Sequence, residues 1–126
     1  MTLIAKDSSS MKIYGIKNCD TMKKALKWLD NEGIAYEFHD YKKQGLSPEL
    51  ADEFLTNIDV ASLINARGTT FRQLDDATKS KIKDQQDQAT AKQLMLDNPS
   101  IIKRPVLEHE GRYLLGFKAD QYQEFV

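Results

Sequence analysis

The sequence contains a single cysteine, Cys19, among its 126 residues. One cysteine excludes an intramolecular disulfide, and it excludes the structural zinc sites that are built from several cysteine thiolates. No secretory signal peptide is visible at the start of the sequence. Because free thiols are typical of cytosolic proteins, we expect the protein to work in a reducing cytoplasm. We also expect no metal ion at its site.

Long apolar runs and an excess of one charge are also missing. No apolar stretch approaches the roughly 20 residues that cross a bilayer, and a net charge of -1 offers no basic surface to nucleic-acid phosphates. We therefore expect neither a membrane nor a nucleic acid as a direct partner. With 126 residues, 40% of them hydrophobic, the chain has the size of one globular domain, which we place at residues 11–126.

Residues 1–10, MTLIAKDSSS, precede a second methionine, Met11, and end in three serines. We interpret them as a flexible N-terminal lead, and an alternative start at Met11 fits the same pattern. A reading in which Leu3 and Ile4 extend the first strand is equally compatible with the sequence.

The stretch from Met11 to Leu29 predicts a strand, a turn and a helix. Apolar residues in its second half recur at the i, i+3, i+4, i+7 spacing of one buried helix face, namely Met22, Ala25, Leu26 and Leu29. Cys19 therefore falls at or beside the N-cap of the helix, where unpaired backbone N–H groups converge. The positive end of the helix dipole lowers the pKa of a thiol placed there, and Lys17 and Lys23 would add to that field.

Cys19 has two readings. A lone cysteine is often a small buried hydrophobe. Here the neighbouring residues Asn18, Asp20 and Thr21 are polar, and polar turn residues predict exposure. We therefore favour a reactive thiolate over a structural thiol.

The rest of the chain predicts a second strand, a helical middle and a closing hairpin with a short helix. The helical middle is predicted to start with Ser47 as the cap and Pro48 at the first helical position. The second strand alternates between an inward set and an outward set that includes His39, which we expect to face solvent. Its inward residues are Ile34, Tyr36, Phe38 and Asp40, and its outward residues are Ala35, Glu37, His39 and Tyr41. A hairpin is indicated by the runs Ile102–Glu108 and Tyr113–Phe117 on either side of a glycine turn.

Four short motifs follow one another along the chain. They are Gly15-Ile16-Lys17-Asn18-Cys19-Asp20-Thr21, Leu63-Ile64-Asn65-Ala66-Arg67-Gly68, Asn98-Pro99 and Ile102-Lys103-Arg104-Pro105-Val106. In order and spacing they resemble the arsenate reductase ArsC family, with its Spx and YffB branches, and the YffB-like branch fits best. The likeness spans Met11 to Val126. It implies an α/β, thioredoxin-like fold with a mixed four-stranded sheet and a helical insertion at about residues 47–98.

The resemblance also implies a site. Pro105 is expected in the cis form beside Cys19, and Arg104 is expected to reach the thiol. The planar fork of donors on Arg104 could then pair with the thiolate or with an anionic group of the substrate. We assign Cys19 as the nucleophile and Arg104 as its catalytic partner. The predicted substrate-binding residues are Lys17, Asn18, Thr21, Arg67 and Pro105.

Arsenate-reducing members of the family surround the cysteine with three arginines, and this chain departs from that pattern. Arg104 is kept, the second position falls at Asn65 and is only approximated by Arg67, and the third falls at Gly116. The resemblance therefore disfavours arsenate reduction, which we keep as the weakest alternative.

A single nucleophilic cysteine has to be resolved by an outside thiol, and glutathione is the abundant cytosolic one. The Cys-x-x-Cys pair of many Spx-type regulators reads Cys19-Asp20-Thr21-Met22 here, so no internal redox switch can form. We predict a glutathione-dependent thiol reductase or oxidoreductase that uses glutathione as co-substrate, holds no bound cofactor and acts on a small thiol or disulfide. The alternative is an Spx-type regulatory protein that binds RNA polymerase without catalysis.

Overall fold

The computed structural model describes residues 11–126, so the predicted lead at residues 1–10 lies outside the described part. The described chain divides into two compact units. The first consists of residues 11–42 and 104–126, and the second of residues 43–103. The predicted insertion at residues 47–98 falls inside the second unit, while the single-domain organisation stays a prediction. No helix within residues 11–126 is long and apolar enough to cross a membrane.

Strands and helices alternate in the first part of the described chain, the middle is helical, and the last part is a β-hairpin followed by a helix. In chain order the elements are β1 (Met11–Gly15), α1 (Asp20–Asn31), β2 (Tyr36–Asp40), α2 (Tyr41–Gln44), α3 (Pro48–Asn57), α4 (Val60–Leu63), α5 (Thr69–Arg72), α6 (Asp76–Lys83), α7 (Gln88–Asp97), a 3₁₀ turn (Pro99–Ile101), β3 (Val106–His109), β4 (Arg112–Leu115) and α8 (Ala119–Phe125).

The first unit is built on a four-stranded sheet with the strand order β2-β1-β3-β4. β1 is parallel to β2 and antiparallel to β3, and β3 is antiparallel to β4. The predicted α/β, thioredoxin-like fold with a mixed sheet is therefore confirmed.

One face of this sheet forms the core of the first unit with α1 and α8. The residues of that core are Met11, Ile13, Met22, Ala25, Leu29, Leu107 and Tyr122. Each of them is at most 2% exposed, and burying a large apolar side chain contributes about 1.5–3 kcal/mol relative to leaving it exposed. The predicted apolar face of α1 is confirmed, because Met22, Ala25 and Leu29 lie in this core and Leu26 packs against it while partly buried.

The expectation that the outward set of the second strand faces solvent is confirmed for Ala35 and Glu37, which are exposed, but it is wrong for His39 and Tyr41. Tyr41, which lies at the start of α2 directly after β2, is only 3% exposed. His39 is half-buried between two rings, with its centroid 5.2 Å from that of Tyr14 and 5.8 Å from that of Tyr41. The alternation rule assumes a sheet with one covered face, whereas strands buried on both faces carry apolar residues in both sets.

The third strand also starts later than predicted. It begins at Val106 rather than Ile102, because Pro105 has no N–H to donate to a strand ladder. Ile102 instead forms an isolated antiparallel bridge with Ile64 inside the second unit.

The second unit consists of α3 to α7 and the 3₁₀ turn, and side-chain caps mark where its helices begin. The Ser47 hydroxyl accepts the N–H of Leu50 at 3.1 Å, and Pro48 occupies the first turn of α3, as the sequence predicts. Asp75 accepts the N–H of Thr78 at 2.7 Å in the same way. The large side chains at the centre of this unit are Phe54, Leu63, Ile64, Ile82, Met95, Ile101 and Ile102, all fully buried.

Candidate functional site

The candidate site begins at the loop between β1 and α1. Cys19 is the N-cap residue of α1 and has an extended backbone, with φ -108° and ψ 132°. Its carbonyl accepts the N–H of Lys23 at 3.0 Å, which starts the hydrogen-bond pattern of the helix. The thiol is partly exposed. The structure thus agrees with the N-cap position that the spacing of apolar residues predicts.

The surroundings of the sulfur favour its anion. Unlike the Ser47 hydroxyl, the Cys19 side chain makes no regular capping hydrogen bond, but the backbone N–H groups of the first turn face it. Partial burial raises the pKa of Cys19, whereas the N–H of Met22, the hydrogen-bonding side chain of Arg104 and the N–H of Thr21 lower it. The positive charge of Arg104 lowers it further. The lowering interactions prevail, so the pKa of Cys19 lies below its ordinary value.

Gly15, the last residue of β1, allows the first turn of α1 to pack closely. A β-carbon at this position would overlap the thioether sulfur of Met22, which is fully buried in the core. Because Met22 also supplies one of the N–H groups that face the sulfur, this packing helps to fix the orientation of the Cys19 turn.

The second half of the site is the segment that leads into β3. The peptide bond between Arg104 and Pro105 is cis, as the family resemblance implies. The carbonyl of Pro105 accepts the N–H of Gly116 at 2.9 Å, and the carbonyl of Gly116 accepts the hydroxyl of Tyr122 at 2.8 Å. The backbone next to Arg104 is therefore hydrogen-bonded to the residue that follows β4, and this residue is hydrogen-bonded to α8.

The structure brings together some of the predicted site residues but not all of them. Arg104 and Thr21 face the sulfur of Cys19, and Pro105 adjoins Arg104. Lys17 and Asn18 lie exposed on the loop directly before the thiol. Their roles in binding stay predictions. Within residues 11–126 no three His, Cys, Asp or Glu side chains form a cluster that could hold a metal ion.

The remaining arginine positions of the family pattern look different in this chain. Arg67 belongs to the second unit, where its N–H donates to the side-chain oxygen of Asn65 at 3.2 Å, and its part in the site stays a prediction. Gly116 has a φ of 79°, a left-handed conformation that costs an L side chain such as arginine about 1 kcal/mol or more.

A group of residues that sequence reasoning missed lies at the same end of the sheet. Tyr14, His39 and Tyr41, which we call the aromatic row, lie side by side, with the first pair of rings tilted and the second pair edge-on. The hydroxyl of Tyr41 is buried and has no hydrogen-bond partner among residues 11–126. An aromatic residue next to His39 in the outward set of the second strand, together with Tyr14 in the first strand, was the signal that could have revealed a covered face.

Comparisons with known proteins agree with this architecture. A model of the ArsC family matches residues 14–125. The solved structure of the YFFB (PA3664) protein is 49% identical, has a TM-score of 0.82, and aligns over 90% of this chain and 96% of its own.

Two curated relatives extend the comparison. A Haemophilus influenzae protein, described as uncharacterized, is 41% identical over 111 residues, which is 88% of this chain and 94% of that protein. The global transcriptional regulator Spx of Lactiplantibacillus plantarum is more distant, with 26% identity over 117 residues, 90% of this chain and 84% of the regulator. The predicted likeness to the YffB-like branch is confirmed, with Spx proteins further away.

Proposed function

The chain belongs to the ArsC family, and we propose that it acts as a glutathione-dependent thiol oxidoreductase with Cys19 as its single nucleophile. The observation that carries this proposal is the environment of the sulfur. Two backbone N–H groups and Arg104 stabilise its anion, and a thiolate is the form that attacks disulfides. A thiol with a purely structural role would need neither partial exposure nor a cation beside it.

The reaction that fits one cysteine has two exchanges. The Cys19 thiolate attacks the glutathione sulfur of a mixed disulfide, so that the bond to the substrate sulfur breaks and the substrate leaves as a thiolate, which takes up a proton. Cys19 is then disulfide-bonded to glutathione. A second glutathione thiolate attacks the glutathione sulfur of that bond, releases the Cys19 thiolate and forms oxidised glutathione. The net reaction consumes the mixed disulfide and one reduced glutathione, and it yields the substrate thiol and oxidised glutathione.

Glutathione matches the charges near Cys19. It carries two carboxylates and one ammonium group, and a guanidinium binds a carboxylate through two parallel hydrogen bonds. Arg104 stands beside the sulfur, and the exposed Lys17 lies two residues before it. In this proposal Arg104 first stabilises the thiolate and Lys17 attracts the carboxylates, while the N–H groups of the Asn18–Thr21 turn present the sulfur. The reaction also requires the reducing, glutathione-containing cytoplasm that the lone cysteine predicts.

Intact-mass spectrometry tests the proposal directly. After incubation with oxidised glutathione, the protein should carry one glutathione adduct, which added reduced glutathione should remove. The Cys19→Ser variant is the control and should carry none. An unmodified wild-type protein after prolonged incubation at pH 8 would overturn the glutathione reaction.

The second candidate is the Spx-type function, and the likeness to the Spx regulator favours it. In that case the protein binds RNA polymerase and requires no thiol. Pull-down of purified RNA polymerase by wild type and by Cys19→Ser distinguishes the two functions. Equal retention of polymerase by both proteins would favour docking, whereas absence of retention together with a glutathione adduct on the wild type favours thiol chemistry.

A further inference from the structure

The hydroxyl of Tyr41 is a buried polar group near the site whose placement the proposed chemistry does not use. Tyr41 is 3% exposed, and its hydroxyl has no hydrogen-bond partner among residues 11–126. Leaving a buried polar group unsatisfied costs about 1–3 kcal/mol. Phenylalanine would fill the same space without that cost, so the hydroxyl calls for an explanation.

The sheet places Tyr41 at the same edge as Arg104. Tyr14 is paired with His39 on one side and with Val106 on the other. Tyr41 directly follows the last residue of β2, which is parallel to β1, and Arg104 lies two residues before the first residue of β3, which is antiparallel to β1. Both therefore lie just beyond the carboxyl end of β1, where the Cys19 loop begins.

Tyr41 is also held in a fixed orientation and lies within the field of Arg104. Its ring contacts His39 edge-on, at a centroid distance of 5.8 Å with planes at 63°. Burial and the neighbouring Tyr14 raise the pKa of Tyr41, while the positive charge of Arg104 lowers it. Of these two neighbouring groups Arg104 is the cation, and its guanidinium carries donors but no acceptor.

The proposed reaction changes what Arg104 faces. In the structure its side chain hydrogen-bonds to the sulfur of Cys19. When Cys19 becomes a mixed disulfide, the negative charge leaves with the departing thiolate, and a neutral disulfide sulfur is a weak acceptor. A guanidinium has several donors and no acceptor, so the donor that faced the sulfur can then bond to another oxygen.

We infer that Tyr41 is a positioning residue whose hydroxyl accepts the guanidinium of Arg104 when Cys19 is in the mixed-disulfide state. This inference rests on the proposed thiol chemistry of Cys19. Because the hydrogen bond exists in one state only, it favours the mixed disulfide over the thiolate and leaves the reduced site unchanged. Arg104 then has two hydrogen-bond acceptors, the sulfur of Cys19 in the reduced protein and the hydroxyl of Tyr41 in the mixed disulfide. This explains why the hydroxyl has no partner among residues 11–126 in the reduced state.

The test uses Tyr41→Phe and 2-hydroxyethyl disulfide, a neutral reagent that requires no recognition of glutathione. The Cys19 thiolate attacks one of its sulfurs and releases 2-mercaptoethanol. The equilibrium constant for this exchange is measured by mass spectrometry at fixed ratios of reagent and 2-mercaptoethanol. We expect it to fall roughly 3- to 10-fold in Tyr41→Phe, the range that one net hydrogen bond supplies.

Two further measurements separate positioning from a structural role. The pH dependence of Cys19 alkylation in the reduced protein should be the same in wild type and Tyr41→Phe. In an Arg104→Ala background, Tyr41→Phe should have no further effect on the equilibrium constant, because the hydroxyl acts through the guanidinium. Tyr36→Phe is the matched control, since it removes a hydroxyl that is bonded to Asp30 at 3.0 Å, and it should change neither quantity.

Each other outcome overturns the inference. An unchanged equilibrium constant in Tyr41→Phe, a shifted alkylation profile in the reduced protein, or an undiminished effect without Arg104 would each do so. Should Tyr41→Phe fail to fold, NMR of the wild type with ¹³Cζ-labelled tyrosine replaces it, and a Tyr41 signal that is the same in both states refutes the inference. Reaction with 2-hydroxyethyl disulfide but not with oxidised glutathione would refute the glutathione proposal alone.

Discussion

Replacing Arg104 by alanine should make Cys19 a weaker acid and a stronger nucleophile at the same time. Arg104 lowers the pKa of Cys19 in two ways, through a hydrogen bond and through its charge. Both are lost in Arg104→Ala, whereas the N–H groups of Met22 and Thr21 remain. The pKa of Cys19 should therefore rise, although these two N–H groups still stabilise the thiolate.

The magnitude follows from the kind of interaction. A hydrogen bond to a charged group contributes about 1.5–3 kcal/mol, and partial exposure of both partners places Arg104 at or below the lower end of that range. The thiolate population at low pH should therefore fall roughly tenfold. Because the nucleophilicity of a thiolate rises with its pKa, with a Brønsted coefficient of about 0.4–0.5, the observed alkylation rate should fall only about threefold. On the alkaline plateau it should rise about threefold.

The assay is the rate of iodoacetamide alkylation between pH 5 and 10, and the two profiles should cross. Arg104→Lys should restore much of the low-pH rate, because it keeps the charge, but it lacks the planar fork and should bind glutathione carboxylates less well. Arg112→Ala is the control, since Arg112 lies at the opposite end of the β3–β4 hairpin, paired with His109. The free energy of unfolding should stay within about 0.5 kcal/mol of wild type in Arg104→Ala. Coincident profiles in a folded Arg104→Ala protein would show that the arginine is not a site residue.

Three other changes have defined outcomes. Because folding lowers the pKa of Cys19, ionisation of the thiol should stabilise the protein above the unfolded-state pKa of about 8.5, and this stabilisation should disappear as the pH falls through the folded-state pKa. The melting temperatures of wild type and Cys19→Ser should therefore differ more at pH 9 than at pH 6. The same difference at both pH values would contradict this. Arsenate should be reduced poorly or not at all in the presence of glutathione and glutaredoxin, as measured by NADPH consumption in a coupled assay, because Asn65 and Gly116 occupy two positions where the family resemblance implies arginines; sustained turnover would show that Arg67 replaces the missing contacts. Leu29→Ala should lower the free energy of unfolding in urea by about 2–5 kcal/mol, because Leu29 is fully buried in the core of the first unit, whereas a loss below 1 kcal/mol would mean that α1 packs differently.

Local patterns in the sequence predicted the features that depend on neighbours along the chain. The i, i+3, i+4, i+7 spacing identified the buried face of α1, and the position of Cys19 at its N-cap followed from that face alone. Ser47 and Pro48 marked the start of α3 for the same reason, since capping depends on a few consecutive residues.

Features that depend on distant segments could not be derived in this way. Arg104 reaches Cys19 because β3 pairs with β1, and only the family resemblance pointed to that pairing. Tyr41 was missed because alternation in one strand does not reveal whether the second face of the sheet is covered. The late start of β3 has a local reason, the missing N–H of Pro105, but the bridge between Ile64 and Ile102 is again a long-range contact.

The two hydrogen bonds that join Tyr122, Gly116 and Pro105 make one amide proton a reporter of the site. The N–H of Gly116 is bonded to the carbonyl of Pro105, so it exchanges with solvent only when this support opens. Its deuterium uptake can be followed without labelling or mutating Cys19. Opening of the arginine-bearing segment is thereby measurable in the unmodified protein, as an equilibrium of its own, separate from the reactivity of the thiol.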